Sequence, residues 1–207
     1  MSTPTPIDAQ TAFTGTVAPT GADILDETKL AEWMSANVAG FEGPVQALKF
    51  AGGQSNPTYR LNAKSGSYVL RRKPLGVLLP SAHAVDREYK VIAGLHPTGF
   101  PVAKPYGLCT DDSVIGAMFY IMDMVEGRTI WDGAMPASNP AERRATYEAM
   151  IDTLAALHNV DVETAGLADF GNAAGIGRSS SSPASGAGGR TQVPRAGGSI
   201  RPVGARA

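Results

Sequence analysis

The spacing of apolar residues changes along the chain, and each change predicts an element. Between residues 25 and 38 apolar side chains recur every three or four positions, which predicts an amphipathic helix with Asp23 as its N-cap. Three short apolar or alternating runs follow at 45–51, 58–63 and 68–73, separated by two tight turns, the first of them rich in glycine. This half of the chain is therefore predicted to form a helix followed by a three-stranded antiparallel meander.

The second half continues to alternate between helical and strand periodicity. A helix is predicted over 81–95, a strand or extended segment over 101–109, and a nearly continuous apolar strand over 117–125, expected to be buried on both faces. Asn139, with Glu142 at the third helical position, predicts a capping box at the start of a last helix that ends near residue 158. The order of these elements indicates an α+β fold.

One carboxylate falls on the apolar side of the second predicted helix. Glu88 lies at helical spacing from Ile92 and Leu95, so it is expected to point towards the core. A buried carboxylate needs a partner, and the nearest cations in this arrangement are Arg71 and Arg72 at the end of the third strand. The alternative is that Glu88 sits at the edge of the apolar stripe and reaches water.

The glycine-rich turn is the first candidate binding site. Gly52 and Gly53 lack Cβ atoms, so the backbone there can adopt positive φ and present N–H groups to an anion such as a polyphosphate. Ser55 and Asn56 add short polar side chains at the same place. The alternative is a hairpin loop that binds nothing.

Composition narrows the class of protein. The chain has 207 residues, 43% of them hydrophobic, but no run of about 18 apolar residues and no signal peptide at its start, so we expect a cytoplasmic protein without a membrane partner. A single cysteine, Cys109, excludes an internal disulfide and a cysteine-based zinc site. Three histidines, His83, His96 and His158, are too scattered to suggest a metal site.

The two ends of the chain differ from its middle. Residues 1–21 are rich in threonine, proline and alanine and are expected to form a mobile arm. Residues 172–207 carry five arginines and no lysine, aspartate or glutamate, and they contain neither leucine nor an aromatic residue. This Gly/Ser/Ala/Arg-rich tail cannot build a core and is expected to be disordered, and without interleaved aromatic residues it does not predict a nucleic-acid partner.

A family resemblance rests on several sequence blocks and on their order along the chain. The blocks are GGQSNPTYRL, YVLRRKP, HAVDREYKVIAGL, FPVAKPYGLC, FYIMDMVEGR, LAALHNVD and GLADFG. Over roughly residues 30–171 the chain resembles the aminoglycoside phosphotransferase family, in particular the branch related to phosphotransferases fused to acyl-CoA dehydrogenases. That family shares the protein-kinase-like fold. The resemblance implies a kinase-like N-lobe at 22–127, an antiparallel sheet plus a helix, and an incomplete start of a helical C-lobe at 128–171.

The resemblance also implies a function and a set of site residues. It implies ATP and Mg²⁺ as cofactors and a small-molecule hydroxyl as the phosphoryl acceptor. The nucleotide site would consist of three parts. These are a loop that covers the phosphates, a cation on the third strand with its partner on the helix, and two backbone contacts to adenine. The residues at these positions are Gly52, Gly53, Ser55 and Asn56 for the loop, Arg71 and Glu88 for the ion pair, and the Asp123 carbonyl and Val125 amide for adenine.

The chain departs from the family pattern where catalysis is concerned. An H-G-D motif followed by asparagine and a D-W-E-like magnesium motif are expected in the family, and neither occurs in this sequence. Asp169-Phe170-Gly171 spells D-F-G, but no catalytic loop precedes it, so it is interpreted as a surface segment. The sequence therefore indicates no catalytic residue and no magnesium ligand.

Two functional hypotheses remain, and a third is simpler. The chain is either a truncated or frame-shifted phosphotransferase whose family activity is ATP-dependent phosphoryl transfer, or an inactive fragment that at best binds a nucleotide weakly. The third is a structural α+β domain without a ligand. The helix over 139–158 would leave its apolar face partly exposed, which predicts marginal stability or self-association through that face.

Overall fold

A computed structural model describes residues 15–52, 56–76, 84–130 and 132–171. This part of the chain contains six strands and three α-helices, with short 3₁₀ turns at Gly21–Asp23 and His96–Thr98. In chain order they are β1 (Thr16–Val17), α1 (Glu27–Asn37), β2 (Val45–Phe50), β3 (Thr58–Ala63), β4 (Gly66–Arg72), α2 (Val85–Leu95), β5 (Pro105–Cys109), β6 (Phe119–Asp123) and α3 (Pro140–His158).

All six strands belong to one antiparallel sheet. Its order is β1-β2-β3-β4-β6-β5, so β2, β3 and β4 form the predicted meander and β6 lies between β4 and β5. Leu61 pairs with Tyr68, and Leu70 pairs with Ile121. The sequence thus predicted the α+β class and the meander correctly, whereas the position of β6 beside β4 comes from a long-range pairing.

The two faces of the sheet differ in their surroundings. The face covered by α1 is called the core face, and the opposite face is called the site face. Side chains of Tyr59, Leu61, Leu70, Phe119 and Ile121 point to the core face and are completely buried there beneath α1. Because successive residues of a strand point to opposite faces, their neighbours along β4 and β6 point to the site face. Those neighbours are Val69, Arg71, Tyr120 and Met122.

Helix α1 supplies the apolar cover of the core face. Leu30 and Met34 are fully buried, and the ring of Trp33 packs edge-on against Phe119 with 4.9 Å between ring centroids. The N-cap is Asp26, whose Oδ1 accepts a hydrogen bond of 3.1 Å from the backbone N–H of Lys29. The prediction that Asp23 caps this helix is therefore wrong.

Asp23 has tertiary partners instead of a capping role. Its carboxylate lies 2.6 Å from Lys49 Nζ and 3.6 Å from Arg72 Nη2, and the hydroxyl of Tyr59 donates to it at 3.4 Å. A carboxylate near a helix start satisfies the capping pattern, but three donors from β2, β3 and β4 compete for it. The sequence contains no local sign of that competition.

Helix α3 begins as predicted and leaves its apolar residues exposed. Glu142 N–H donates to Asn139 Oδ1 at 2.9 Å, and Asn139 N–H donates to Glu142 Oε2 at 3.1 Å, which completes the capping box. Within the described residues, the large apolar side chains of α3 are each at least 40% exposed, namely Tyr147, Met150, Ile151, Leu154 and Leu157. No helix in the described part of the chain combines the length and the apolar character needed to cross a bilayer.

Candidate nucleotide-binding site

An ion pair between β4 and α2 lies at the centre of the site face. Arg71 Nε donates to Glu88 Oε2 at 2.5 Å, and Arg71 Nη2 donates to Glu88 Oε1 at 3.3 Å. Both side chains are about one-third exposed, at 32% and 34%. The predicted pairing of Glu88 is confirmed, and its two-point geometry fixes the plane of the guanidinium.

The structure separates the two arginines that the sequence offered as partners. Arg71 points to the site face, whereas Arg72 is only 2% exposed and lies on the core face. There Arg72 Nη2 donates to the carbonyl of Ala22 at 3.2 Å, and its guanidinium lies 5.6 Å from the centre of the Tyr59 ring. Adjacent strand residues cannot share a face, so only Arg71 can reach α2.

Two further side chains donate to Glu88. Asn56 Nδ2 lies 2.9 Å from Glu88 Oε1, and the hydroxyl of Tyr120 lies 3.3 Å from Glu88 Oε2. Burial raises the pKa of the Tyr120 phenol, and the negative charge of Glu88 raises it further, so the phenol stays protonated and can donate. Thr58 Oγ1 accepts from Arg71 Nη1 at 3.3 Å. Sequence reasoning missed Tyr120, because it lies in a run that is otherwise apolar.

The glycine-rich turn is described only in part. Gly52 lies in a bend that follows β2, and Gly53 and Ser55 lie outside the described residues. Asn56 is 4% exposed, and its side chain contacts Glu88. The loop and the ion pair are therefore joined directly, which the sequence did not predict.

A cavity of about 940 Å³ opens beside the ion pair on the same face of the sheet. Its apolar lining includes Phe50, Val69 and Met122, and it is also lined by Asp123 at the end of β6 and by the segment that follows, which includes Val125. A volume of this order is at the upper end of the range of ligand pockets. The two residues expected to contact adenine thus line the same cavity as these apolar side chains.

The described carboxylates near this cavity do not form a metal cluster. Glu126 and Asp132 line it, but Asp132 Oδ1 accepts a hydrogen bond of 2.8 Å from the backbone N–H of Ala134. Among the described residues, no three His, Cys, Asp or Glu side chains come close enough together to hold a metal ion. The described residues therefore form no metal site by themselves, and a magnesium ion would need waters or the phosphates of a nucleotide as further ligands.

Asp169 of the D-F-G sequence contacts a side chain of α2 and does not line this cavity. Its two carboxylate oxygens are 2.7 Å and 2.8 Å from Lys90 Nζ. The hydrogen bond and the charge of Lys90 hold the pKa of Asp169 below its usual value. The interpretation of 169–171 as a surface segment agrees with this position for Asp169, whose side chain is 76% exposed.

Comparison with known proteins gives the same fold and adds curated relatives. A crystal structure from Ralstonia eutropha, described as an aminoglycoside phosphotransferase candidate, matches with a TM-score of 0.63 and 45% identity over 72% of this chain and 43% of that chain. Acyl-CoA dehydrogenase family member 11 from Homo sapiens is 42% identical over 154 residues, which is 72% of this chain and 20% of that protein. Acyl-CoA dehydrogenase family member 10 from Mus musculus is 43% identical over 129 residues, 62% of this chain and 12% of that protein.

The chain therefore spans about a fifth or less of the length of these curated relatives. The structural match confirms the kinase-like fold inferred from the sequence blocks. The model of the "Phosphotransferase enzyme family" matches residues 46–176, which is more than half of the chain and includes Arg71, Glu88 and the cavity residues from Phe50 onward. The chain belongs to the phosphotransferase enzyme family.

Proposed function

We propose that this chain binds ATP in the 940 Å³ cavity, with the phosphates directed towards Arg71. The observation that carries the proposal is the shared face of β4. Val69 forms part of the apolar lining, and Arg71, two residues further on, points the same way and lies roughly 7 Å along the strand. An adenine against Val69 would place its phosphate chain within reach of the guanidinium.

In this proposal each part of the site has one task. The Asp123 carbonyl and the Val125 N–H bind the edge of adenine, while Phe50 and Met122 pack on its faces. Glu88 holds Arg71 in a fixed plane, and the remaining guanidinium N–H groups bind phosphate oxygens. The turn with Gly52, Gly53 and Ser55 covers the phosphates, and Asn56 ties that turn to Glu88.

The family activity that we propose is ATP-dependent phosphoryl transfer to a hydroxyl group of a small molecule. The family model and the structural neighbour support this reaction class. When bound, ATP would supply the phosphoryl group, and this chain would contribute the positioning of its base and phosphates.

A second candidate is nucleotide binding without phosphoryl transfer. The observation that favours it is the absence of an H-G-D motif from the sequence. A phosphotransferase needs a group that orients or deprotonates the acceptor hydroxyl. Turnover assays with ATP and a panel of small alcohols separate the two candidates, since only the first predicts formation of ADP that depends on the acceptor.

Calorimetric titration of the purified chain with ATP·Mg²⁺ tests the binding proposal. We expect saturable binding that Arg71→Ala weakens by at least about tenfold, because charge-assisted hydrogen bonds to phosphate are lost. Arg144→Ala is the matched control, since Arg144 is 80% exposed and pairs with Glu148 on α3. Equal affinities of the wild type and Arg71→Ala would refute the proposed phosphate contact.

Two proposals concern organisation. We propose that residues 22–127 act as the N-lobe and 128–171 as the start of a C-lobe, with the adenine contacts at their junction. We also propose that two copies of the chain associate through the apolar face of α3, because its large apolar residues are exposed on one helix that carries no cover in the described structure.

A further inference from the structure

Residues 161–170, here called the strap, lie along one side of α2. The strap folds on itself through Asp161, whose Oδ1 accepts from the backbone N–H groups of Glu163 and Thr164 at 2.9 and 3.0 Å. Leu167 N–H also donates to the carbonyl of Val162 at 2.8 Å. The strap is therefore a formed turn structure that follows α3, with its own internal hydrogen bonds.

Three positions of α2 contact the strap. Arg87 Nη2 donates to the carbonyl of Phe170 at 3.2 Å, and its guanidinium stacks 4.7 Å from the centre of the Phe170 ring. Lys90 pairs with both oxygens of Asp169. Positions 87, 90 and 94 are three and four residues apart, so they form one stripe of the helix.

Gly94 is the point of closest approach in this stripe. A Cβ atom at Gly94 would lie 2.5 Å from the carbonyl oxygen of Ala165 and 3.0 Å from Cγ of Leu167. Ala165 is buried, so its backbone has little room to retreat. The absence of a side chain at position 94 is therefore what lets the strap lie directly on the helix.

Glu88 lies roughly a third of a turn around α2 from the stripe that contacts the strap. The opposite side of α2 packs on β5 and β6, so the helix is held between the sheet and the strap. Phe170 and Arg87 also line a cavity of about 500 Å³ together with Arg71 and Glu88. The strap thus borders the ion pair as well as the helix that carries it.

We infer that the strap is a positioning element for nucleotide binding: it sets the place of α2, and through Glu88 it sets the guanidinium of Arg71 for the phosphates of ATP. The inference rests on the proposed function. Displacement of α2 by a fraction of an ångström changes the Arg71–Glu88 geometry. Among the described residues that line the adenine cavity, Met122 is the one that also lines the 500 Å³ cavity beside Phe170, whereas Phe50 and Val69 line only the former. The strap therefore acts on the phosphate end of the site, through Glu88, more than on its base end, where Met122 is the shared cavity residue.

The ratio of ATP affinity to adenosine affinity tests this inference, with both ligands titrated into the full chain. In Gly94→Ala we expect ATP binding to weaken by about tenfold, because small displacements of positioning groups are costly. In Lys90→Ala we expect about threefold, since an exposed ion pair contributes little. Adenosine affinity should stay at the wild-type value in both variants, which also shows that each variant is folded.

Lys64→Ala is the control for Lys90→Ala. It removes another exposed ion pair, with Glu42 at 3.1 Å, in the turn between β3 and β4, and should change neither affinity. The exchanged pair Lys90→Asp with Asp169→Lys should recover part of the lost ATP affinity, a rescue that a general loss of stability does not predict. Equal weakening of ATP and adenosine, or an unchanged ratio in Gly94→Ala, overturns the inference.

Failure of the proposed function gives a different result. If the wild type binds neither ligand, or if Arg71→Ala leaves ATP affinity unchanged, the nucleotide site is wrong and the inference about the strap is overturned with it. If the wild type binds both ligands and Arg71→Ala weakens only ATP, the proposed function stands. The strap variants then decide the inference alone.

Discussion

Arg71 and Arg72 are neighbours in the sequence, but we expect their truncation to change different properties. Truncation of Arg72 should lower the stability of the fold, whereas truncation of Arg71 should lower the affinity for ATP. Arg72→Ala removes a side chain that is 2% exposed and packs against Tyr59 with its guanidinium 5.6 Å from the ring centre. The three methylenes of its stem represent about 2.4 kcal/mol of burial at ~0.8 kcal/mol each. The lost hydrogen bond to the Ala22 carbonyl adds about 1 kcal/mol. The expected loss is therefore about 3–4 kcal/mol in the free energy of unfolding.

Arg72→Met separates the contribution of the stem from that of the charge. Methionine keeps an apolar stem of similar length, and it removes Arg72 Nε, a buried donor without a hydrogen-bond partner among the described residues. Asp23 keeps Lys49 at 2.6 Å, so its carboxylate is not left unpaired. Since replacing a buried charge by an apolar side chain relieves its desolvation cost, we expect a loss of only about 1 kcal/mol.

Arg71→Ala is the matched comparison on the other face of the strand. Arg71 is 32% exposed, and Glu88 keeps hydrogen bonds from Asn56 and Tyr120 after the substitution. We expect a loss below about 1 kcal/mol, as for other solvent-screened ion pairs. ATP affinity should show the reverse order, with a large loss for Arg71→Ala and little change for Arg72→Met.

Urea unfolding followed by far-ultraviolet circular dichroism measures these differences, provided that the m-values of the variants agree. The expected order of stability is wild type, then Arg71→Ala and Arg72→Met close together, then Arg72→Ala. A loss of stability in Arg71→Ala as large as that in Arg72→Ala would contradict the assignment of the two side chains to an exposed and a buried face. The reasoning is also refuted if Arg72→Met loses as much stability as Arg72→Ala, because the charge and not the stem would then be decisive.

Two further predictions follow from the core and from α3. Burial raises the pKa of the fully buried Tyr59 to about 12 from 10.0, with Asp23 adding to the rise and Arg72 opposing it. Because the pKa is higher in the folded than in the unfolded state, the protonated Tyr59 phenol contributes its full stabilisation of the fold below pH 10. This stabilisation is lost as the pH rises to about 12. The loss amounts to about 3 kcal/mol at 1.36 kcal/mol per pKa unit and is measured by urea unfolding at increasing pH. For α3, sedimentation velocity should show self-association that increases with concentration, and Leu154→Glu should reduce it, because a charge in the apolar face opposes its burial.

Each of these predictions has a control. Tyr59→Phe should remove most of the extra loss of stability at high pH, and an unchanged pH profile in that variant would contradict the assignment to Tyr59. For α3, Glu148→Gln changes the charge of an exposed polar position that pairs with Arg144 and should leave the association unchanged. A wild-type chain that remains monomeric at high concentration contradicts the proposed contact.

The elements of this fold were predictable where their signals are local. The capping box of Asn139 and Glu142 is a local motif, and it forms as predicted. The meander depends on short alternating runs and tight turns, and it also forms. The cap of α1 was predicted wrongly. The Asp23 carboxylate interacts instead with Lys49, Tyr59 and Arg72, which belong to three different strands.

The site was predictable in part for the same reason. A carboxylate on the apolar side of a helix requires a partner, and this requirement, together with the predicted order of strands and helix, led to the pairing of Glu88 with an arginine at the end of β4. The donors Asn56 and Tyr120 were missed as partners of Glu88, because their contact with it spans 32 residues in each case. Nothing in the local sequence of either residue indicates a neighbour at that separation.

The sequence by itself determined the class and order of the elements, the need of Glu88 for a cation, and the family of the chain. Only the tertiary structure decided which arginine pairs with Glu88 and which other side chains contact that carboxylate. The period of a strand assigns Arg71 and Arg72 to opposite faces, but it does not say which face α1 covers and which face α2 approaches. That choice is made by the pairing of β6 beside β4 and by the packing of both helices, which depend on contacts between residues far apart in the chain.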